Sequence, residues 1–127
     1  MSNLNTSEIT STKGMFYNCQ TLSYIDLSNL NMSNVEDMSD MFRIKPTDKG
    51  YYFSLLTDLD FTGFDTQKVK NMSHLFDGCV RLNTINSIES INTANVQDMS
   101  YMFASCSSLN SLDVSNLLIV IGFNLLH

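Results

Sequence analysis

The sequence has no tryptophan, one proline, three cysteines and two histidines. An odd cysteine count without C-x-x-C spacing excludes a complete disulfide framework and gives no zinc pattern. Positive charge is scarce: seven Lys and Arg stand against thirteen Asp and Glu, a net charge of −6. Nucleic-acid recognition needs clustered basic residues, and bulk attraction to anionic lipid needs the same, so neither is expected. No apolar run approaches the ~18 residues of a membrane-spanning helix. The opening MSNLNTSEIT has neither a basic n-region nor an apolar h-region, so no signal peptide is expected at this start. No G-x-S-x-G, phosphate loop, H-E-x-x-H or dinucleotide fingerprint occurs. What is present is apolar content of 43% with only 16% charged residues, which sets aside a disordered acidic chain. The 127 residues fit one domain.

The chain repeats itself. VEDMSDMF at Val35–Phe42 returns as VKNMSHLF at Val69–Phe76 and as VQDMSYMF at Val96–Phe103, after a weaker ITSTKGMF at Ile9–Phe16. Each is followed by a second phrase: CQTLSYIDLSNL from Cys19, FSLLTDLDFTGF from Phe53, CVRLNTINSIESI from Cys79 and CSSLNSLDVSNL from Cys106. Four units result, beginning near Leu4, Leu30, Phe64 and Ile91, with a period of about 26 residues. The second unit carries an insertion at about Arg43–Tyr52, and the third one extra residue near Ser87. The whole chain, 1–127, reads as a single repeat domain with an apolar, non-repeating tail, LIVIGFNLLH, at 118–127.

Corresponding positions form columns of like chemistry. Ile9, Val35, Val69 and Val96 share one, and Phe16, Phe42, Phe76 and Phe103 another. One unit cannot bury its own apolar face, whereas neighbours laid against each other bury a continuous core. Around Ile25 and Leu27, apolar residues alternate with Tyr24, Asp26 and Ser28, the period of a strand. Parallel strands are expected at Tyr24–Ser28, Asp58–Thr62, Thr84–Ile88 and Ser111–Ser115. The V-x-x-M-x-x-M-F phrase has helical spacing, and the column Ser11, Asp37, Asn71 and Asp98 holds good N-cap residues. Short helices are therefore expected at Met38–Phe42, Met72–Phe76 and Met99–Phe103. The expected fold is an α/β repeat solenoid, leucine-rich-repeat-like and right-handed. It would have about four rungs, a parallel sheet on one face and short helices on the other.

The phrase N-x-S-x-V-x-D-M-S-x-M-F-x-x-C-x-x-L-x-x-L-D-L-S, shown nearly whole by NVQDMSYMFASCSSLNSLDVS in the last unit, resembles the repeat of BspA-like leucine-rich-repeat bacterial surface proteins, many of them lipoproteins. The likeness covers about residues 4–117. It implies an open array displayed at the cell surface or outside the cell, with adhesion or host interaction as its use. It supplies no list of functional residues. No signal or anchor of the kind such proteins usually have is expected from these residues, which read as a piece of a longer array.

Several residues are candidates for chemistry. Cys19, Cys79 and Cys106 share a column that Phe53 fills in the remaining unit, so the column reads as apolar filler; a redox role, including a Cys79–Cys106 bridge, is the alternative. The methionine columns read as core. Asp26, Asp60 and Asp113 share a strand column with Asn86. They read as a hydrogen-bonded, solvated ladder, or alternatively as oxygen ligands for calcium. His74 occupies a variable position, filled elsewhere by Gly14, Asp40 and Tyr101, and reads as exposed; His127 is terminal. The insertion holds the only proline, three of the seven cationic residues and two adjacent tyrosines. Arg43, Lys45, Lys49, Tyr51 and Tyr52 are candidate partner contacts, with Tyr24 on the sheet face. The competing view is a tolerated insertion of no consequence.

An enzyme is not expected, because repeats supply identical residues in lines and catalysis needs unique residues converging in a pocket. No cofactor is expected. The leading expectation is a non-catalytic protein-interaction or adhesion module at a cell surface, its partner a host or neighbouring-cell surface protein or glycan. The alternatives are a structural spacer in a longer array, a calcium-dependent binding module and, last, a hydrolase with an unrecognised site. Self-association through the uncapped apolar C-terminal end is a further expectation.

Overall fold

The computed structural model describes residues 8–88 and 91–109. Within them the repeated phrases lie side by side. Ser11, Asp37, Asn71 and Asp98 are joined in turn by parallel bridges. From each bridge a ladder of backbone hydrogen bonds runs into the next copy at every second residue. Between the first two copies the N–H groups of Thr12, Gly14, Phe16 and Asn18 donate to the carbonyls of Asp37, Ser39, Met41 and Arg43. The same pattern joins Met38, Asp40, Phe42 and Ile44 to Asn71, Ser73, Leu75 and Asp77, and Met72, His74, Phe76 and Gly78 to Asp98, Ser100, Met102 and Ala104. Intervening N–H groups turn back on their own copy, as Met15 does to Thr12 and Tyr17 to Gly14.

That bonding overturns the expected α/β solenoid with helices on one face. The segments Met38–Phe42, Met72–Phe76 and Met99–Phe103 are hydrogen-bonded turns, and no α-helix occurs among the described residues. The physical reason is visible at one column. Gly14, Asp40, His74 and Tyr101 have φ of 64°, 58°, 56° and 59°. A left-handed residue in the middle of each phrase ends any right-handed helix there. The apolar spacing that resembles a helix instead serves a tight turn whose alternate N–H groups bond sideways. Ser11, Asp37, Asn71 and Asp98 do cap, but they cap turns. Asp37 Oδ1 accepts from the Ser39 N–H at 2.9 Å, and Asn71 and Asp98 do the same for Ser73 and Ser100.

The expected four-stranded sheet is also reduced. Two strands form, β1 (Asp58–Asp60) and β2 (Thr84–Asn86), paired parallel with Leu59 opposite Ile85. Both alternate exposed, buried, exposed, as the period-two reading requires. Tyr24–Ser28 is not a strand. The expected strand at Ser111–Ser115, Asp113 and the tail 118–127 lie outside the described residues.

The core runs through all the copies. Val35, Val69, Met38, Met41, Met72, Leu75, Phe76, Leu82 and Met102 are fully shielded from solvent. The phenylalanines stack in one line: Phe16 on Phe42 at 5.4 Å, Phe42 on Phe76 at 6.0 Å and Phe76 on Phe103 at 5.5 Å, all with nearly parallel rings. Phe61 leans against both Phe42 and Phe76 and is itself buried. The first copy is the least covered, with Ile9, Met15, Phe16 and Ile25 only partly buried.

Candidate functional site

Two neighbouring copies part on one side. The first and second copies are bonded along the turn ladder as far as Asn18 and Arg43, and once more where the Leu55 N–H donates to the Gln20 carbonyl. Beyond that point Tyr24–Ser28 and Asp58–Asp60, which correspond in the repeat, form no bridge with each other. An open groove of about 470 Å³ lies between them instead. Ile25, Leu27 and Leu59 supply its apolar lining, while Asp26, Asp58 and Asp60 bring three carboxylates to it, joined by Tyr24, Thr62 and Asn86. Tyr24 is 76% exposed, the highest among the exposed large apolar side chains of the described residues.

Asp26 and Asp60 close their own turns. Asp60 Oδ1 accepts from both the Thr62 N–H (2.9 Å) and the Thr62 hydroxyl (2.6 Å), and Asp26 Oδ1 accepts from the Ser28 N–H at 2.9 Å. The side-chain hydrogen bonds to Ser28 and Thr62 are the main cause that holds both carboxyls below their ordinary value, so both are ionised at neutral pH. Each of these two carboxylates is thus bonded within its own turn. No group of three His, Cys, Asp or Glu side chains with metal-holding geometry occurs among the described residues.

The insertion residues divide into two sets. Arg43 is held by two ion pairs, its guanidinium 3.2 Å from Asp40 and 3.5 Å from Asp77. Tyr52 is half-buried and packs over Gly78. These two anchor the loop. Lys45, Lys49 and Tyr51 are exposed, Tyr51 at 71%. The structure thus leaves Lys45, Lys49, Tyr51 and Tyr24 open to a partner and gives Arg43 and Tyr52 internal work.

Three features were not legible as single residues. His74 is not an exposed spectator: its Nδ1 lies 2.7 Å from Asp77 Oδ2 and its ring stacks on Tyr101 at 4.8 Å. Asp77, itself buried, therefore joins Arg43 and His74. The signal for this column was Gly14, which marks a left-handed position that Asp40, His74 and Tyr101 share. The cysteine column is uneven, with Cys79 buried, Cys106 half-buried and Cys19 exposed, and all three are free thiols. The Cys79 and Cys106 S–H groups each donate at 3.1 Å to a carbonyl of the preceding copy, Phe42 and Phe76. Burial pushes the Cys79 thiol up strongly and the Cys106 thiol to about 12, the behaviour of inert packing thiols. Phe53, which the column reading placed inside, is 48% exposed. The insertion ends immediately before it, and Ile44 near the insertion's start is buried.

The chain belongs to the family described as Mycoplasma protein of unknown function, DUF285, which matches residues 1–46 and 48–120. That match makes it a BspA-like repeat relative, in keeping with its V-x-D-M-S-x-M-F phrase. That kinship suggests a surface-associated protein. No curated protein and no solved structure matches the chain.

Proposed function

We propose that this chain is a non-catalytic interaction or adhesion module that works at a cell surface or outside the cell. Its partner on this reading is a protein or glycan on a host or neighbouring cell. The observation that carries the reading is the groove between Tyr24–Ser28 and Asp58–Asp60, an apolar trough with three carboxylates and the highly exposed Tyr24. Apolar floors with polar rims and an aromatic anchor are the usual makings of a contact surface. Lys45, Lys49 and Tyr51 on the insertion offer a second contact region. Cys79 and Cys106 bond carbonyls, and His74 is clamped between Asp77 and Tyr101, so these three are committed to packing.

The test is binding of fluorescently labelled full chain to a panel of intact animal and bacterial cells, read by flow cytometry. Saturable binding is expected, abolished by prior protease or periodate treatment of the cells according to whether protein or glycan is recognised. A triple variant, Y24A/D58N/D60N, and a variant with Lys45–Tyr51 replaced by Gly and Ser locate the contact. Absence of saturable binding to every cell type would overturn the reading and leave a structural spacer as the better account.

A further inference from the structure

We propose that the groove takes an extended segment of a partner polypeptide, paired with β1 as an added strand and carrying cationic side chains at alternate positions. The inference rests on the interaction reading and names its partner class.

The argument begins with what the groove replaces. Between the second and third copies the corresponding residues pair as β1 and β2, in register from Asp58 with Thr84 to Asp60 with Asn86. Between the first and second copies the same repeat positions, Tyr24–Asp26 and Asp58–Asp60, wall an open groove. β1 therefore has a partner strand on one side and the groove on the other. A strand edge of this kind is a template for an incoming extended chain, which gains main-chain hydrogen bonds there.

Charge selects which chain. The groove brings together Asp26, Asp58 and Asp60, and no Lys or Arg lines it. Three of the cations are engaged elsewhere, Lys68 with Asn34, Lys70 with Glu36 and Arg43 with Asp40 and Asp77, and the exposed Lys45, Lys49 and Arg81 are not among the lining residues. Asp58 and Asp60 point to the same face of β1 because side chains alternate along a strand. A strand laid beside them meets both carboxylates with every second side chain, so alternate Lys or Arg residues fit. Tyr24 can cover such a chain with its ring and meet a cation over its face. An acidic or wholly apolar segment would leave the three carboxylates uncompensated.

The experiment uses the full chain and fluorescein-labelled synthetic peptides, read by fluorescence anisotropy. An alternating Lys–Thr peptide is expected to bind. An alternating Glu–Thr peptide is not. An alternating Lys–Pro peptide has the same charge, but every second residue lacks an N–H and the proline rings hold the chain away from strand geometry, so it is expected to bind at least about tenfold more weakly than Lys–Thr. The D58N/D60N variant keeps the turn acceptors and is expected to bind Lys–Thr about tenfold more weakly; Y24A should also lose affinity. Circular dichroism confirms that each variant is folded. Equal affinity for Lys–Thr and Lys–Pro would overturn strand addition and show charge attraction alone. Unchanged affinity in D58N/D60N would overturn the groove as the site. Either failure leaves the cell-binding assay intact, so the broader interaction reading stands or falls separately.

Discussion

Gly78 sits at a φ of +88°, and a β-carbon built there would lie 2.4 Å from the Ile44 carbonyl oxygen and 2.8 Å from the Tyr52 ring. The backbone carbonyl cannot swing aside, because Ile44, the second residue of the insertion, is bonded into the ladder through its N–H to Asp77. Gly63 has a similar φ of +82° but open space around it. The two positions separate steric from conformational cost. Gly63→Ala should lose about 1–2 kcal/mol, the ordinary penalty of a left-handed alanine. Gly78→Ala should lose distinctly more, about 3 kcal/mol or above, since the clash adds to that penalty. Urea denaturation followed by circular dichroism measures both, and equal losses would show that Tyr52 and Ile44 do not pack over Gly78. The column that contains Gly78 also holds Asn18 and Ser105, at 56° and 58°. Asparagine tolerates this region because its side chain bonds locally. Here Asn18 Oδ1 reaches further and accepts from the Lys45 N–H at 3.0 Å.

The turns are the working elements of this chain, and three columns of Asx or Ser residues make them. Asp26 and Asp60 form one, Asn31, Asp65 and Asn92 a second, and Ser11, Asp37, Asn71 and Asp98 a third, each accepting from the N–H two residues on. Their residue types were readable in the sequence, and so were the buried columns and the strands at Leu59 and Ile85. The helices were misread because period alone does not distinguish two helical turns from one tight turn bonded sideways; only the left-handed column Gly14, Asp40, His74 and Tyr101 decides it. The groove was not legible either, since it depends on how far two copies part. A pH prediction belongs to these turns. The Asp26 and Asp60 carboxyls are lowered by hydrogen bonds from Ser28 and Thr62. A lowered folded-state pKa stabilises the fold above the unfolded value of 3.8 and is lost as pH falls through the folded value below it. Asparagine keeps the acceptor oxygen and removes the titration, as Asn31 and Asn92 show in their own turns. D26N/D60N should therefore fold normally at neutral pH and lose less stability than the parent between pH 3.8 and more acid conditions. Urea midpoints measured across that range test it, and parallel acid profiles for the two proteins would refute it.

Across the whole molecule, stability is carried by a line of side chains that no single copy could bury. Phe76 is the centre of that line. It is fully buried and meets Phe42, Phe61 and Phe103 at centroid distances of 6.0, 5.9 and 5.5 Å. Phe16 stands at the end, half-covered, and stacks on Phe42 alone among the described rings. Truncation at the two ends of this gradient should cost differently. Phe76→Ala opens a cavity walled by three rings in a ladder bonded on both sides, where relaxation is limited, and should cost about 3–5 kcal/mol. Phe16→Ala removes a ring already in partial contact with water and should cost about 1 kcal/mol, less than half as much. A small domain has only about 5–15 kcal/mol in total, so the first variant approaches global unfolding while the second remains native. The position of the loss matters as much as its size. Phe16 ends the row of stacked rings among the described residues, so its removal should fray the first copy and leave the rest intact. Phe76 joins the second, third and fourth copies, so its removal should lower the whole array together. Amide hydrogen exchange distinguishes the two: Phe16→Ala should raise exchange at Thr12, Gly14 and Phe16, with Met72 and Phe76 unaffected. Phe76→Ala should raise it from Thr12 through Gly78. Equal midpoints for the two variants, or exchange that stays local in Phe76→Ala, would mean that the copies are stabilised singly and that the stacked phenylalanines do not couple them.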